Sequence, residues 1–269
     1  MTWGSSAAAA AAVALLLAGC SSGGAAHESA EPAGVADASA AAGEPAAGEP
    51  APVESVYVSI PYQPPVKHGA VPGAKIHVTQ ADGSGGNCTL GPAVRQPSTG
   101  RTGFLTAGHC AGTVTVDGEY LGEVEEIRVT RDEDADAPVG ERPPAEDSGI
   151  IWTPRAGEKA AAYVAGRPVI GALSETELHA LPRSTMDNDA AGVPVCNFGA
   201  TTGSWCSSFW GAGGYIGSGG GIDGDSGSPM FLVDGDGNAI LIGVVDDPAG
   251  ASILARTLRR LKIQPITAF

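Results

Sequence analysis

LTAGHC at residues 105–110 and GDSGSP at residues 224–229 are the two stretches that decide the interpretation of this chain. The first contains a histidine, whose imidazole can accept and return a proton near neutral pH. The second places Ser226 between glycines, which let the backbone turn sharply and let another molecule approach closely. A serine hydroxyl is a weak nucleophile unless a base, usually a histidine, lies within hydrogen-bond reach. The two stretches therefore predict a nucleophile, Ser226, and its general base, His109.

Both motifs, in this order, resemble the histidine and serine segments of chymotrypsin-like serine proteases, and in particular the bacterial streptogrisin-type enzymes. The resemblance implies an all-β fold of two six-stranded antiparallel β-barrels with a C-terminal helix. It also implies that the backbone N–H groups of Gly224 and Ser226 form the oxyanion hole. Asp225, by the same resemblance, is buried and structural.

The pattern of the remaining sequence agrees with an all-β domain. Short β-branched runs recur between glycine, aspartate and proline turns, as in strands joined by tight connections. The end of the chain differs, because apolar side chains fall on one face at helical spacing. These are Ile253, Leu254, Leu258 and Leu261. They predict the C-terminal helix.

The third catalytic residue should be an aspartate between the histidine and the serine, in the order that the family uses. We predict Asp147, because the family that the chain resembles uses an acid just before a short apolar strand, and Asp147 lies just before the run at residues 149–152. Its carboxylate would hold the tautomer of the His109 ring. One rival lies in a turn-like sequence and three lie in a charged run typical of a solvated loop. The rivals are Asp117, Asp132, Asp134 and Asp136.

The chain has five cysteines, an odd number, and an exported protein should not leave one spare. Setting Cys20 aside leaves four, which allow three pairings. Proximity in the chain favours the pairs Cys88–Cys110 and Cys196–Cys206, and streptogrisin-type proteases carry similar pairs. A zinc site is the alternative, but the separations are not those of zinc ligands. We expect no metal and no organic cofactor.

Residues 1–20 are typical of a lipoprotein-type signal peptide. Residues 7–17 form an unbroken apolar stretch that is too short to span a bilayer. The sequence LAGC at residues 17–20 resembles a bacterial lipobox, in which Cys20 would be lipidated. The first six residues carry no lysine or arginine, which departs from that pattern, and a plain secretory signal is the alternative.

Residues 21–73 are expected to form a disordered acidic Ala/Pro/Gly linker or a short pro-segment, and residues 74–269 the protease domain. Residues 21–52 lack the apolar content to fold. Residues 53–72 contain one strand-like run and several prolines, so they either pack on the domain or are removed. Together with the signal, this organisation predicts an extracytoplasmic cell-envelope lipoprotein, or a secreted protein if the lipobox is incidental.

The formal net charge of −15 argues against nucleic acid and against electrostatic binding to anionic lipid. The partners that we expect are protein or peptide substrates, with the membrane reached only through the lipid anchor. We expect a monomer.

The resemblance places the base of the specificity pocket at Gly220 and puts Asp223 near its rim. No acid stands at the base, so the sequence does not support a trypsin-like preference and favours a small or apolar substrate side chain. Residues 246–248 read DDP where the family has Ser-x-Gly, and proline has no N–H to donate to a bound peptide. A trypsin-like activation by cleavage between Lys75 and Ile76 is a further hypothesis.

These observations predict a serine endopeptidase that acts through His109, Asp147 and Ser226 and an acyl-enzyme. Two alternatives remain open at this point. One is a protease-like binding module that lacks competent substrate binding, and the other is an esterase on the same scaffold.

Overall fold

The computed structural model describes residues 57–130, 146–184, 192–209, 216–217, 221–247 and 250–269. They belong to a compact unit that spans Pro52–Phe269. Several predictions concern residues outside this description: the signal peptide with Cys20, most of the linker, Gly220, Pro248 and the charged run with Asp132, Asp134 and Asp136. Among the described residues, no helix has both the length and the apolar character needed to cross a bilayer.

The first sheet has eight strands, and all of its neighbouring strands run antiparallel. Its strands are β1 (Lys75–Thr79), β2 (Gly85–Thr89), β3 (Ala93–Arg95), β4 (Thr102–Thr106), β5 (Thr113–Val116), β6 (Glu119–Thr130), β7 (Glu146–Trp152) and β16 (Gln264–Pro265). Their spatial order is β16-β3-β4-β7-β6-β5-β1-β2. Strand β7 therefore lies in the interior of the sheet, between β4 and β6.

The second sheet is built from the later part of the chain. Its strands are β8 (Tyr163–Val164), β9 (Arg167–Ala172), β10 (Pro194–Gly199), β11 (Gly203–Ser208), β12 (Ile216–Gly217), β13 (Pro229–Val233), β14 (Ala239–Asp247) and β15 (Gly250–Ile253). Six follow the antiparallel order β11-β10-β13-β14-β15-β12. Strand β9 pairs with β14 in parallel and with β8 in antiparallel fashion.

The described residues contain two α-helices, α1 (Glu175–Ala180) and α2 (Leu254–Leu261). Helix α2 follows β15 without a connecting loop, and Lys262 ends it in the left-handed conformation with φ of 53°. Three short 3₁₀ turns complete the regular structure, at Gly108–Cys110, Pro154–Gly157 and Lys159–Ala162. The all-β class and the C-terminal helix are as predicted, whereas the parallel pairing of β9 with β14 departs from the two antiparallel barrels that we predicted. The short strands raise each sheet above six strands.

Buried and exposed residues alternate along β1, whereas β7 is buried along almost its whole length. In β1, Ile76 and Val78 point inward between exposed neighbours. A layer of apolar side chains joins the two sheets, with Leu105 and Ile150 from the first meeting Phe231 and Leu241 from the second. Because β7 is covered on both faces, any polar side chain that it carries must find its partners inside the protein.

The segment that precedes β1 packs on the second sheet. The Val58 N–H donates to the Val233 carbonyl at 2.9 Å, and the Gln63 N–H donates to the Ser204 hydroxyl at 2.7 Å. Ile76 is the second residue of β1, where it is fully buried and pairs with Cys88. Freeing Ile76 as a new N-terminus would place a charged amine at a fully buried position, which argues against activation by cleavage after Lys75.

Candidate active site

His109 lies on the 3₁₀ turn that directly follows β4. The turn is crowded: a Cβ atom added to Gly108 would lie 2.7 Å from the Arg128 carbonyl oxygen and 2.9 Å from Asp147 Oδ1. Only glycine fits here, which explains the glycine before the histidine in the first motif. The disulfide Cys88–Cys110 ties the same turn to β2. The imidazole is therefore carried on a short, anchored piece of backbone.

Asp147 on β7 binds His109 at two points. Its Oδ1 accepts the His109 backbone N–H at 2.9 Å, and its Oδ2 lies 2.7 Å from Nδ1 of the ring. The Asp147 side chain is 12% exposed and the His109 side chain 33% exposed. With Nδ1 donating to the carboxylate, Nε2 is left as the proton acceptor. A rival from the sequence, Asp117, lies instead in the β5–β6 turn and accepts the Gly69 N–H.

The Asp147 main chain is also held. Its N–H donates to Ser252 Oγ at 2.7 Å, and Ser252 Oγ donates in turn to Asp246 Oδ2. Sequence reasoning missed Ser252, and it missed the buried Glu146 next to Asp147. For Glu146, the signal was a second carboxylate next to Asp147, ahead of the apolar run at residues 149–152, and this does not identify a partner.

The loop that carries Ser226 is shaped by buried hydrogen bonds. The Asp225 carboxylate is 2% exposed and accepts the N–H groups of Thr201, Thr202 and Ile222, at 2.9, 3.2 and 3.3 Å. It is thus buried and structural, as the resemblance implies. Because protein N–H groups already occupy this carboxylate, no liberated chain terminus is needed to order the loop.

The two glycines that flank the Asp225-Ser226 pair adopt a conformation that other residues rarely use. Gly224 and Gly227 both have φ of 96°. A Cβ on Gly227 would overlap the Thr89 carbonyl oxygen and the Thr106 hydroxyl. Among the described residues, no acceptor is hydrogen-bonded to the N–H of Gly224 or of Ser226. Those are the two donors predicted for the oxyanion hole.

His109 and Ser226 line the same open cavity of about 230 Å³. The other described lining residues are Gly221, Ile222, Asp223, Val245, Asp246 and Asp247. Three of them are carboxylates and none is a lysine or arginine, so this part of the wall carries net negative charge. Asp223 lines this cavity, whereas Gly220 is outside the described residues.

Both predicted disulfides are present. Cys196–Cys206 links directly paired positions of β10 and β11. Cys88 and Cys110 lie close to His109, but their sulfurs bond to each other and offer no thiolate to a metal. Two disulfide bonds agree with an oxidising, extracytoplasmic compartment.

No protein-family model matches the chain, and no curated protein matches it. Among solved structures, a Nocardiopsis protease is similar with 19% identity over 73% of this chain and 98% of that chain, with a TM-score of 0.48. A glutamic-acid-specific serine protease, described as using a novel histidine triad in substrate binding, is similar with 17% identity over 73% of this chain and 100% of that chain, with a TM-score of 0.43.

Proposed function

We propose that this protein is a serine endopeptidase with Ser226 as nucleophile, His109 as general base and Asp147 as the residue that orients His109. The observation that carries the proposal is the His109–Asp147 pair, which faces a cavity that Ser226 also lines. A base held by a buried carboxylate and placed beside a serine in an open cavity is the arrangement that nucleophilic catalysis requires.

In the proposed reaction, Ser226 Oγ attacks the carbonyl carbon of the bond to be cleaved while Nε2 of His109 takes the hydroxyl proton. The N–H groups of Gly224 and Ser226 stabilise the oxyanion that forms. His109 then gives the proton to the leaving amine, and an acyl group remains on Ser226. A water molecule, deprotonated by His109, then attacks the acyl group. The bond to Ser226 Oγ breaks, His109 returns the proton to Oγ, and the acid product leaves.

We place this activity outside the cytoplasm, with the protein anchored through a lipidated Cys20. The two disulfides support an oxidising compartment. The lipobox-like LAGC sequence at residues 17–20 supports the anchor.

A binding module is the second candidate, and Asp246 and Asp247 are the observation that favours it. Both line the cavity at the end of β14, directly before Pro248 in the sequence. A wall of this charge could hold a peptide without cutting it. Turnover separates the two candidates, and parallel peptide and ester substrates separate a peptidase from an esterase.

The test of the proposal is covalent labelling by a fluorophosphonate, which reacts with a serine only when the base and the oxyanion donors are in place. The full chain, Ser226→Ala and Ser84→Ala are compared, with circular dichroism as the check on folding. Ser84 is an exposed serine outside the cavity. We expect labelling of the full chain and of Ser84→Ala, and none of Ser226→Ala. A folded full chain that does not label, or labelling that survives in Ser226→Ala, would refute the proposal.

A further inference from the structure

Glu146, the residue before Asp147 on β7, carries a carboxylate with unusual surroundings. Its side chain is 9% exposed, and its Oε1 accepts three hydrogen bonds. The donors are Ser148 Oγ at 2.9 Å, Thr257 Oγ1 at 3.1 Å and Arg260 Nε at 2.9 Å. Two of these donors, Thr257 and Arg260, belong to helix α2.

We propose that Glu146 and Arg260 are positioning residues for Asp147, so that helix α2 sets the orientation of the Asp147 carboxylate. This inference rests on the proposed function. Successive side chains of a strand point to opposite faces. Asp147 therefore faces His109, while Glu146 and Ser148 face the opposite side, where α2 lies.

Arg260 binds β7 and the neighbouring strand at several points. Besides Glu146, its guanidinium donates to Ser148 Oγ at 2.9 Å and to the Glu126 carbonyl oxygen at 3.0 Å. Glu126 lies at the irregularity where β6 pairs with β7, and its φ is 50°. A planar guanidinium with several fixed donors holds such a set in one geometry, which a lysine ammonium does not.

A second contact acts on the same strand from the adjoining segment. Ser252 on β15 accepts the Asp147 N–H, and β15 continues directly into α2. One continuous piece of chain thus holds both the main chain at Asp147 and the side chain next to it.

Stability alone is a weak reason for an ion pair that is largely buried, with the Glu146 side chain 9% exposed and the Arg260 side chain 23% exposed. Removing a carboxylate and an arginine from water is costly, and apolar residues of similar volume often stabilise a protein as well or better. What the pair supplies is a single geometry for β7, and the hydrogen bonds from His109 to the Asp147 carboxylate depend on that geometry.

The chain offers a matched control, a second glutamate that also pairs with arginines of α2. Glu175 on α1 accepts hydrogen bonds from Arg256 at 2.6 Å and from Arg259 at 2.8 Å. It pairs with arginines of α2 as Glu146 does, but it does not contact β7 in these interactions. Glu175→Gln therefore loosens the same helix without acting on Asp147.

The experiment compares Glu146→Gln with Glu175→Gln in the full chain. Three quantities are measured: the melting temperature, kcat and KM on one peptide substrate, and the proton NMR signal of the His109 Nδ1–H. We expect both variants to melt earlier. Because a small misplacement of a catalytic group costs up to about a hundredfold in rate, we expect Glu146→Gln to lose about tenfold to a hundredfold in kcat at unchanged KM.

Glu175→Gln should keep kcat within about twofold, and only Glu146→Gln should move the His109 proton signal. Unchanged kcat and an unchanged signal in Glu146→Gln would overturn the inference, and so would an equal loss in both variants. If Glu146→Gln does not fold, Arg260→Lys replaces it, with the same expected pattern. If the wild-type protein does not react at Ser226, the proposed function fails, and the His109 signal alone still decides the positioning role.

Discussion

The Asp147 carboxylate binds both the main chain and the ring of His109, through Oδ1 to the backbone N–H at 2.9 Å and through Oδ2 to Nδ1 at 2.7 Å. One buried carboxylate thus fixes where the histidine lies and which ring nitrogen carries the proton. A single hydrogen bond to the ring would leave the turn at residues 108–110 free to shift. Because of the double contact, the orientation of His109 depends on the position of Asp147 on β7.

Asp147→Asn should reduce kcat by about three to four powers of ten, because an amide NH₂ group facing Nδ1 favours the wrong tautomer. The measurement is steady-state hydrolysis, with KM reported separately. Asp117→Asn is the control. It removes another aspartate that lies between His109 and Ser226 in the sequence but does not contact the His109 ring. Equal activity of both variants would exclude Asp147 from the reaction.

The acidic cavity wall should discriminate against negatively charged substrate side chains. Of two peptides that differ only by Glu or Gln next to the cleaved bond, we expect the Gln peptide to have the higher kcat/KM by about tenfold, or about 1.4 kcal/mol. Asp223→Asn should narrow this ratio, because it removes one of the three carboxylates. Asp236→Asn, an exposed carboxylate in the β13–β14 turn, makes the same change in net charge and should leave the ratio unaltered. A Glu peptide cut as well as its Gln counterpart would contradict the prediction.

Gly227→Ala should destabilise the protein far more than Gly118→Ala. Both glycines have positive φ, 96° and 81°, so both substitutions introduce backbone strain of about 1–3 kcal/mol. Only at Gly227 would the new Cβ also overlap neighbouring atoms, whereas the space around Gly118 is open. Urea unfolding of the two variants gives the comparison, and equal free energies of unfolding would show that the Ser226 loop rearranges freely.

The stability that Glu175 on α1 contributes by pairing with Arg256 and Arg259 on α2 should depend on pH. Hydrogen bonds from Arg256, and then from Arg259, lower the pKa of Glu175 from its usual value. A lowered folded-state pKa stabilises the protein above the unfolded-state pKa, about 4.3 for a glutamate, and this stabilisation is lost as pH falls through the folded-state value.

The wild-type protein should therefore be more stable than Glu175→Gln at pH 7, by about 1 kcal/mol or less for a partly exposed pair. The difference should vanish in acid below the folded-state pKa. Thermal unfolding of both proteins from pH 7 to pH 3 tests this, and a difference that stays constant across the range would speak against the ion pair.

The chemistry of the two motifs can be predicted from the residues within them. His109 and Ser226 could be predicted because their glycine-rich surroundings are short-range features, and the crowding at Gly108 and Gly227 explains why those glycines are needed. The disulfide pairs could be predicted because each partner is near in the chain. Asp147 was selected from its position before an apolar run, and the structure brings it to His109.

Which side chains support these residues depends on how the strands and helix α2 pack together. Glu146 and Arg260 meet because strand β7 packs against helix α2, and these segments are distant in the chain. The sequence does not distinguish a buried carboxylate from a solvated one. The same holds for Ile76, whose place inside β1 argues against the activation site, and for Asp246 and Asp247, whose carboxylates join Asp223 at one cavity. Such contacts depend on how the sheets fold over each other, and no local pattern encodes that arrangement.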